Sequence, residues 1–326
     1  MNIMPGLAAG TSFFVLTAVV SAQTPADGYP NKPVRIITGA AGATVHDVAT
    51  RLLGQRLSER WGQPIVVENQ PAAALTIGTR IAARATPDGY TLLMSDRSAL
   101  SVAPSLYTNL QYDPLKDFSP ITLTARLPSA LVAHPSVPAT TLREFLDYAK
   151  QQSGPINFAS AGVGTAGHIA NELFRSLTGI KLINIHYKGG GASVLALMGG
   201  EVKAGVSLMG NVLPHVRAGK LKAYVVTGKT RFAGAPEIPN AVESGLPGLD
   251  TEFWIGMLAP ARTPAALVAR LNREMTEIIQ APEYHAALLK QGAESSAGTP
   301  EQFAGLIKSE TVKWAKVIKE AGIKPE

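Results

Sequence analysis

Residues 155–191 limit most tightly what this chain can fold into: P-I-N-F-A-S-A-G-V-G-T-A-G-H-I-A-N-E-L-F-R-S-L-T-G-I-K-L-I-N-I-H-Y-K-G-G-G. The apolar run 156–159 reads as a strand. Ser160, Gly162 and Gly164 then form a turn in which main chain can approach a ligand without interference from Cβ atoms. Thr165 has the right chemistry for an N-cap, and Ile169, Leu173 and Leu177 recur at intervals of four, predicting a helix with one apolar stripe. A second strand over 182–187 runs into Gly189, Gly190 and Gly191 and a second short helix. Strand, small-residue turn and helix start therefore occur twice in succession, the grammar of an α/β sheet.

Helix N-termini present unpaired N–H groups and the positive end of the macrodipole, so both turns suit an anion. A single such turn is only what any α/β protein needs to reverse direction. Two of them, with Ser160, Thr165 and His168 alongside, point to a carboxylate or phosphate site. No G-K-[ST] follows the glycines, which excludes a Walker loop, and no acidic residue stands where a dinucleotide ribose would need one.

With these residues in view, residues 157–168 and the Y-K-G-G-G of 187–191 resemble the Bug family of periplasmic solute receptors. These TctC-like proteins are the extracytoplasmic subunits of tripartite tricarboxylate transporters. P-D-G-Y-T-L-L (87–93), Y-D-P-L-K-D-F-S-P-I (112–121), L-P-H-V-R-A-G-K-L (213–221), E-S-G-L-P-G (243–248) and the ending K-W-A-K-V-I-K-E-A-G-I-K support it, in order, from Tyr29 to the C-terminus. The resemblance implies an α/β, two-lobed periplasmic binding protein fold of type II-like architecture with a hinge between lobes. The expected division is a signal peptide over 1–22, a discontinuous first domain over 23–125 and 226–326, and a second domain over 126–225. Lys222 to Thr227 is expected to carry the chain back to the first domain.

The resemblance also implies a small organic acid held by water and main chain rather than by a metal or cofactor. It implies membrane subunits of a tripartite transporter as partners and a monomeric receptor. Ser160, Gly162, Gly164, Thr165, His168 and Tyr187 would hold one carboxylate from the second lobe, and Ala41, Gly42, Ala43 and Thr44 the other end from the first. Arg97, at the end of the strand over 91–95, is the candidate cation for the ligand, with a surface salt bridge as the alternative.

The chain departs from the family in three places. The first loop reads A-A-G-A-T-V-H-D, one residue longer and with one glycine fewer. Asp47 in it is read as a cap for the helix opened by Thr44, and His46 as a solvated loop residue. The usual N-R-P-G-A-G-G becomes N-Q-P-A-A-A-L over 69–75, stiffer and more apolar. Ser207 and Leu208 stand where the family has Asp–Asn, removing a partner for an ammonium. The expected ligand is a carboxylate without a free amine, with an apolar or aromatic body. Phe253 and Trp254 are candidates for the cleft, with core packing the preferred role for either.

The remaining composition excludes more than it assigns. The 326 residues are 46% hydrophobic, enough for two moderate cores, and contain no cysteine, which removes disulfides, thiolate sites and a lipoprotein anchor. Residues 1–22 are uncharged, with an apolar run over 13–20 and small residues at Val20 and Ala22, so cleavage after Ala22 is expected. The net charge of +6 comes from dispersed Lys and Arg, which argues against nucleic acid and fits an anion receptor. Two alternatives remain open: a receptor feeding a two-component sensor, and a hydrolase using Ser160 or Ser207 with His168 or His186. No G-x-S-x-G or H-E-x-x-H supports the latter, and the chain is expected not to be an enzyme.

Overall fold

The computed structural model describes Met1 and residues 28–42, 44–71 and 75–324. The expected leader beyond Met1, Ala43 of the first loop and residues 72–74 of the second lie outside the described residues.

β1 (Val34–Thr38), α1 (Val45–Trp61), β2 (Ile65–Asn69), α2 (Thr76–Ala83) and β3 (Thr91–Asp96) open the chain, with β1 parallel to both β2 and β3. Thr44 caps α1 by accepting from the Asp47 amide, as its sequence predicts, and Gly62 ends the helix with a left-handed φ of 64°. A wide turn over Ser98–Val102 and the short α3 (Ala103–Leu106) lead to β4 (Phe118–Leu127).

After Pro128 the chain enters a second sheet. β5 (Ser129–Ala133), α4 (Leu142–Gln151), β6 (Ile156–Ser160), α5 (Ala166–Thr178), β7 (Leu182–His186), α6 (Gly190–Met198), β8 (Ala204–Leu208), α7 (Met209–Arg217) and β9 (Lys222–Val226) give the strand order β7-β6-β8-β5-β9. β10 (Phe253–Pro260), α8 (Ala265–Ile279), α9 (Pro282–Lys290), β11 (Glu294–Ser295) and α10 (Pro300–Ala321) then complete the first sheet, ordered β11-β4-β10-β3-β1-β2. Two α/β lobes result.

The return crossing lies later than the sequence suggests. Lys222 to Val226 pair antiparallel with β5 and form an edge of the second sheet. Phe232, Ala235, Ile238, Ala241 and Leu249 still pack into second-lobe cores, so the chain goes back only over 250–252. The boundary expected at 225/226 is corrected accordingly: the K-A-Y-V-V pattern marks a strand but carries no information about its partner. The apolar stripe of α5 is corrected too. Ile169, Ala170 and Phe174 are buried, whereas Leu177 is exposed. Intervals of four overshoot the 3.6-residue turn, so each successive residue drifts around the helix.

The first lobe is filled by residues such as Val34, Leu53, Met94, Met257 and Leu271, the second by Phe145, Phe158, Phe174 and Tyr224. A smaller cluster joins them: Val102 and Leu106 with Ile169 of α5 and Trp314 and Ile318 of α10. Trp254 is core, packed edge-on against Phe303, as expected.

Candidate functional site

A cleft lies where the C-terminal ends of strands from both lobes meet. Its second-lobe half, about 510 Å³, is walled by the turn after β6, the ends of α6 and β8, and Leu106 with Tyr107. Its first-lobe half, about 810 Å³, is walled by the loop after β1, Asp96, Leu127, Ile255 and Gln291. The halves share Leu75, Leu208, Asn211 and Phe253.

The turn from Ser160 to Thr165 is built from its own polar groups. Ser160 is buried; its Oγ donates to the Gly162 carbonyl (3.1 Å), accepts from the Gly162 amide (3.3 Å) and lies in hydrogen-bond contact with His186 Nδ1 (3.2 Å). Thr165 donates to the Gly162 carbonyl (2.7 Å) and accepts from the His168 amide, capping α5. Gly162 and Gly164 sit at φ of 131° and 72°, and a Cβ on Gly164 would stand 2.7 Å from Leu106 Cδ1. Both positions therefore demand glycine. Ala166 and Gly167, the first two residues of α5, line the cleft. Their amides precede the intrahelical ladder and carry the positive end of its dipole.

His168 stands behind this turn. It is buried, its Nδ1 accepts from the Gly164 amide (3.0 Å), and its ring meets that of His186 edge-on at 4.6 Å. Burial, then the neighbouring His186, push its pKa down to about 4, so the ring is neutral with the hydrogen on Nε2. It shapes the turn instead of lining the cleft. Tyr187 is likewise outside the lining, its hydroxyl donating to Glu201 (2.9 Å).

Of the first-lobe candidates, Ala41 and Thr44 line the cleft, Gly42 does not, and Ala43 is outside the described residues. Ser207 lines the second-lobe half. Arg97 is neither a ligand group nor a surface ion pair. It is 1% exposed, donates to the carbonyls of Thr251 (2.8 Å) and Glu252 (3.2 Å), and lies over the rings of Phe253 and Trp314. The reason is the turn after β3: the strand ends at Asp96, Arg97 is already helical (φ −53°, ψ −36°), and its side chain is turned to the 251–252 carbonyls while Asp96 and Ser98 line the cleft.

His46 corrects another expectation. It belongs to α1, is 6% exposed, and places Nδ1 3.0 Å from Thr38 Oγ1 while lining the first-lobe half of the cleft. Burial pushes its pKa down to about 4. Phe253 takes both of its alternatives, a cleft wall as well as a core residue, and sequence reasoning missed Asn211, whose Nδ2 lies against Gly190 of the second glycine turn. The glycine turn was the available signal for Asn211.

No Lys or Arg occurs among the described residues lining either half, and Asp96 is their one acidic side chain. Nor do the described residues include a cluster of three His, Cys, Asp or Glu able to hold a metal. Apart from Asp96 in the first-lobe half, the described lining offers an anion main-chain dipoles and neutral side chains.

The family model of the tripartite tricarboxylate transporter family receptor, TctC, matches residues 49–323. The chain belongs to this receptor family. Protein BugT of Bordetella pertussis is 35% identical over 322 residues, spanning 98% of this chain and 99% of BugT. The structure of periplasmic binding protein BugD is 32% identical with a TM-score of 0.74, covering 91% of this chain and 100% of that one. R. palustris Rpa4515 with adipate is 28% identical with a TM-score of 0.79, over 91% of this chain and 100% of that one. TctC receptors are periplasmic solute-binding proteins and not enzymes, which disposes of the hydrolase alternative despite the Ser160–His186 contact. That contact joins a buried hydroxyl whose proton already goes to the Gly162 carbonyl.

Proposed function

We propose that this chain is an extracytoplasmic receptor that captures a small organic carboxylate between its lobes and delivers it to membrane subunits of a tripartite tricarboxylate-type transporter. The observation that carries the carboxylate is the glycine turn opening α5, where Thr165 and His168 fix the backbone and Ala166 and Gly167 face the cleft. Hydrogen bonds to a charged acceptor contribute about 1.5–3 kcal/mol each, so three preorganised amides supply about 4.5–9 kcal/mol toward the roughly 8 kcal/mol of a micromolar Kd without a cation, and burial of the ligand's apolar body adds to it. Ser160 and Ser207 border the same half, while Ala41 and Thr44 face the other end of the ligand. The walls of Leu75, Leu127, Leu208, Phe253 and Ile255 favour an acid with an apolar body. Residues 1–22 direct export, and the receptor acts as a monomer.

The test is a thermal-shift screen of the chain lacking residues 1–22 against mono-, di- and tricarboxylates, amino acids and aromatic acids. A ligand at a hundredfold its Kd stabilises the native state by about 2.7 kcal/mol, a shift easily resolved. Stabilisation by one acid class is expected. A flat response to every acid would refute the receptor reading.

A further inference from the structure

The first-lobe half of the cleft contains none of the residues of the glycine turn, and its polar groups form an uneven set. Asp96 is 4% exposed, with Oδ1 accepting from the amides of Ser98 (2.8 Å) and Ala99 (3.3 Å). An Asp at this depth, facing a ligand that is itself an anion, repels any second negative charge, and no Lys or Arg among the described lining residues offsets it.

His46 supplies the complementary group. Thr38 Oγ1 accepts from the Ala40 amide (3.2 Å) and lies 3.0 Å from His46 Nδ1; when Thr38 gives its proton to Nδ1, the ring hydrogen sits on Nε2, and that tautomer is part of the proposal. That Nε2 is buried without a hydrogen-bond partner. A buried N–H without a partner is costly, and a ligand atom that accepts from it recovers the loss. The remainder of this half is apolar: Leu75, Leu127, Leu208, Phe253 and Ile255.

Three ligand ends can be weighed against one acceptor, one donor and apolar walls. A carboxylate satisfies His46 but opposes Asp96. An ammonium satisfies Asp96, leaves the His46 donor facing another donor, and loses hydration among the apolar side chains. A hydroxyl donates to one group and accepts from the other, and it enters uncharged.

We propose that the first-lobe half of the cleft selects a neutral hydroxyl, so that the receptor takes a hydroxyl-terminated monocarboxylate with an apolar body and discriminates against dicarboxylates. Asp96 and His46 are the specificity-determining residues. This rests on the reading of the glycine turn as the carboxylate site, and it separates the chain from Rpa4515, whose structure contains the dicarboxylate adipate. Burial pushes the Asp96 pKa up to about 6, which still leaves the carboxylate mainly ionised above neutral pH.

The experiment is calorimetric titration at pH 7.5 with four acids sharing a six-carbon chain: hexanoate, ω-hydroxyhexanoate, ω-aminohexanoate and adipate. Native protein should bind ω-hydroxyhexanoate most tightly and adipate at least about tenfold more weakly, the penalty of a second carboxylate beside Asp96, whose charge the neighbouring Arg97 offsets without outweighing the effect of burial. Asp96→Asn keeps the Oδ1 acceptor for Ser98 and Ala99 and removes the charge, so adipate should gain about tenfold while hexanoate changes little. Adipate binding as tightly as ω-hydroxyhexanoate to the native protein overturns the proposal. So does an equal gain for hexanoate and adipate in the variant, and so does failure of all four acids to bind. The receptor reading falls with it only if the wider acid screen is flat as well.

Discussion

His46 and His168 are both buried imidazoles whose pKa is pushed down to about 4. In the unfolded chain each regains an ordinary value near 6.5, so between those values the unfolded state binds protons that the folded state refuses. Their contribution is fully present above about pH 6.5 and is lost as pH falls toward 4. Asp96 works in the opposite sense: burial pushes its pKa up to about 6, so the folded state gains a proton first and is relieved as pH drops. Two imidazoles outweigh one carboxyl, and a net loss on the order of 3 kcal/mol is expected across the window. Urea unfolding at half-unit pH steps checks this, and His168→Asn, which retains an acceptor for the Gly164 amide, should flatten the slope. A stability that stays level or rises from pH 6.5 to 4.5 contradicts it. Neither burial was legible in the sequence. A histidine two or three residues past a Thr cap can face solvent or core, and only the packing of α1 and of α5 against their sheets decides which.

At the scale of elements, capping and strand signals were readable because they are local. Thr44 with Asp47, Thr141 with Glu144 and Thr299 with Gln302 each place a hydroxyl three residues before the amide it receives, and all three helices begin there. The turn before α5 was readable for the same reason: glycines at left-handed φ and a Thr cap leave a short loop few alternatives. What was not readable was partnership. β9 is the edge of the second sheet and not a crossing, and Arg97 turns from the cleft because the chain leaves β3 at Asp96 and is already helical at Arg97. The cap at α5 can be tested directly. Thr165→Val removes the acceptor for the His168 amide and the donor to the Gly162 carbonyl, with little change in volume. A loss of about 1 kcal/mol in stability is expected. Affinity for whichever acid binds should weaken about tenfold, because the amides of Ala166 and Gly167 lose their fixed direction. Unchanged affinity alongside reduced stability would remove this turn from the binding site.

At the scale of the whole molecule, two crossings join the lobes: Pro128 between β4 and β5, and the segment 250–252 leading into β10. Arg97 straps the second. Its guanidinium holds the Thr251 and Glu252 carbonyls, backed by the Trp314 ring of α10 on one side and the Phe253 ring of the cleft wall on the other. Lys313 of α10 donates to the Asp250 carbonyl (2.6 Å), and Arg126 of β4 pairs with Glu252, so both crossings are tied to each other and to the same helix. Burial pushes the Arg97 pKa down only to about 10, and the side chain stays charged at neutral pH. A hinge that lets one lobe rotate over a ligand needs its crossing segments anchored, or the rotation is spent in local fraying. The strap and the ligand role expected from the sequence make opposite predictions for Arg97. Were it a ligand group, Arg97→Met would abolish acid binding and leave stability nearly unchanged. As a strap it should cost about 3 kcal/mol, since two buried carbonyls lose a charged donor, while the Kd for a bound acid moves by less than about threefold. Urea unfolding and calorimetric titration of the same preparation distinguish them, because the strap predicts that the loss appears in the free protein and persists, nearly unaltered, when the cleft is filled.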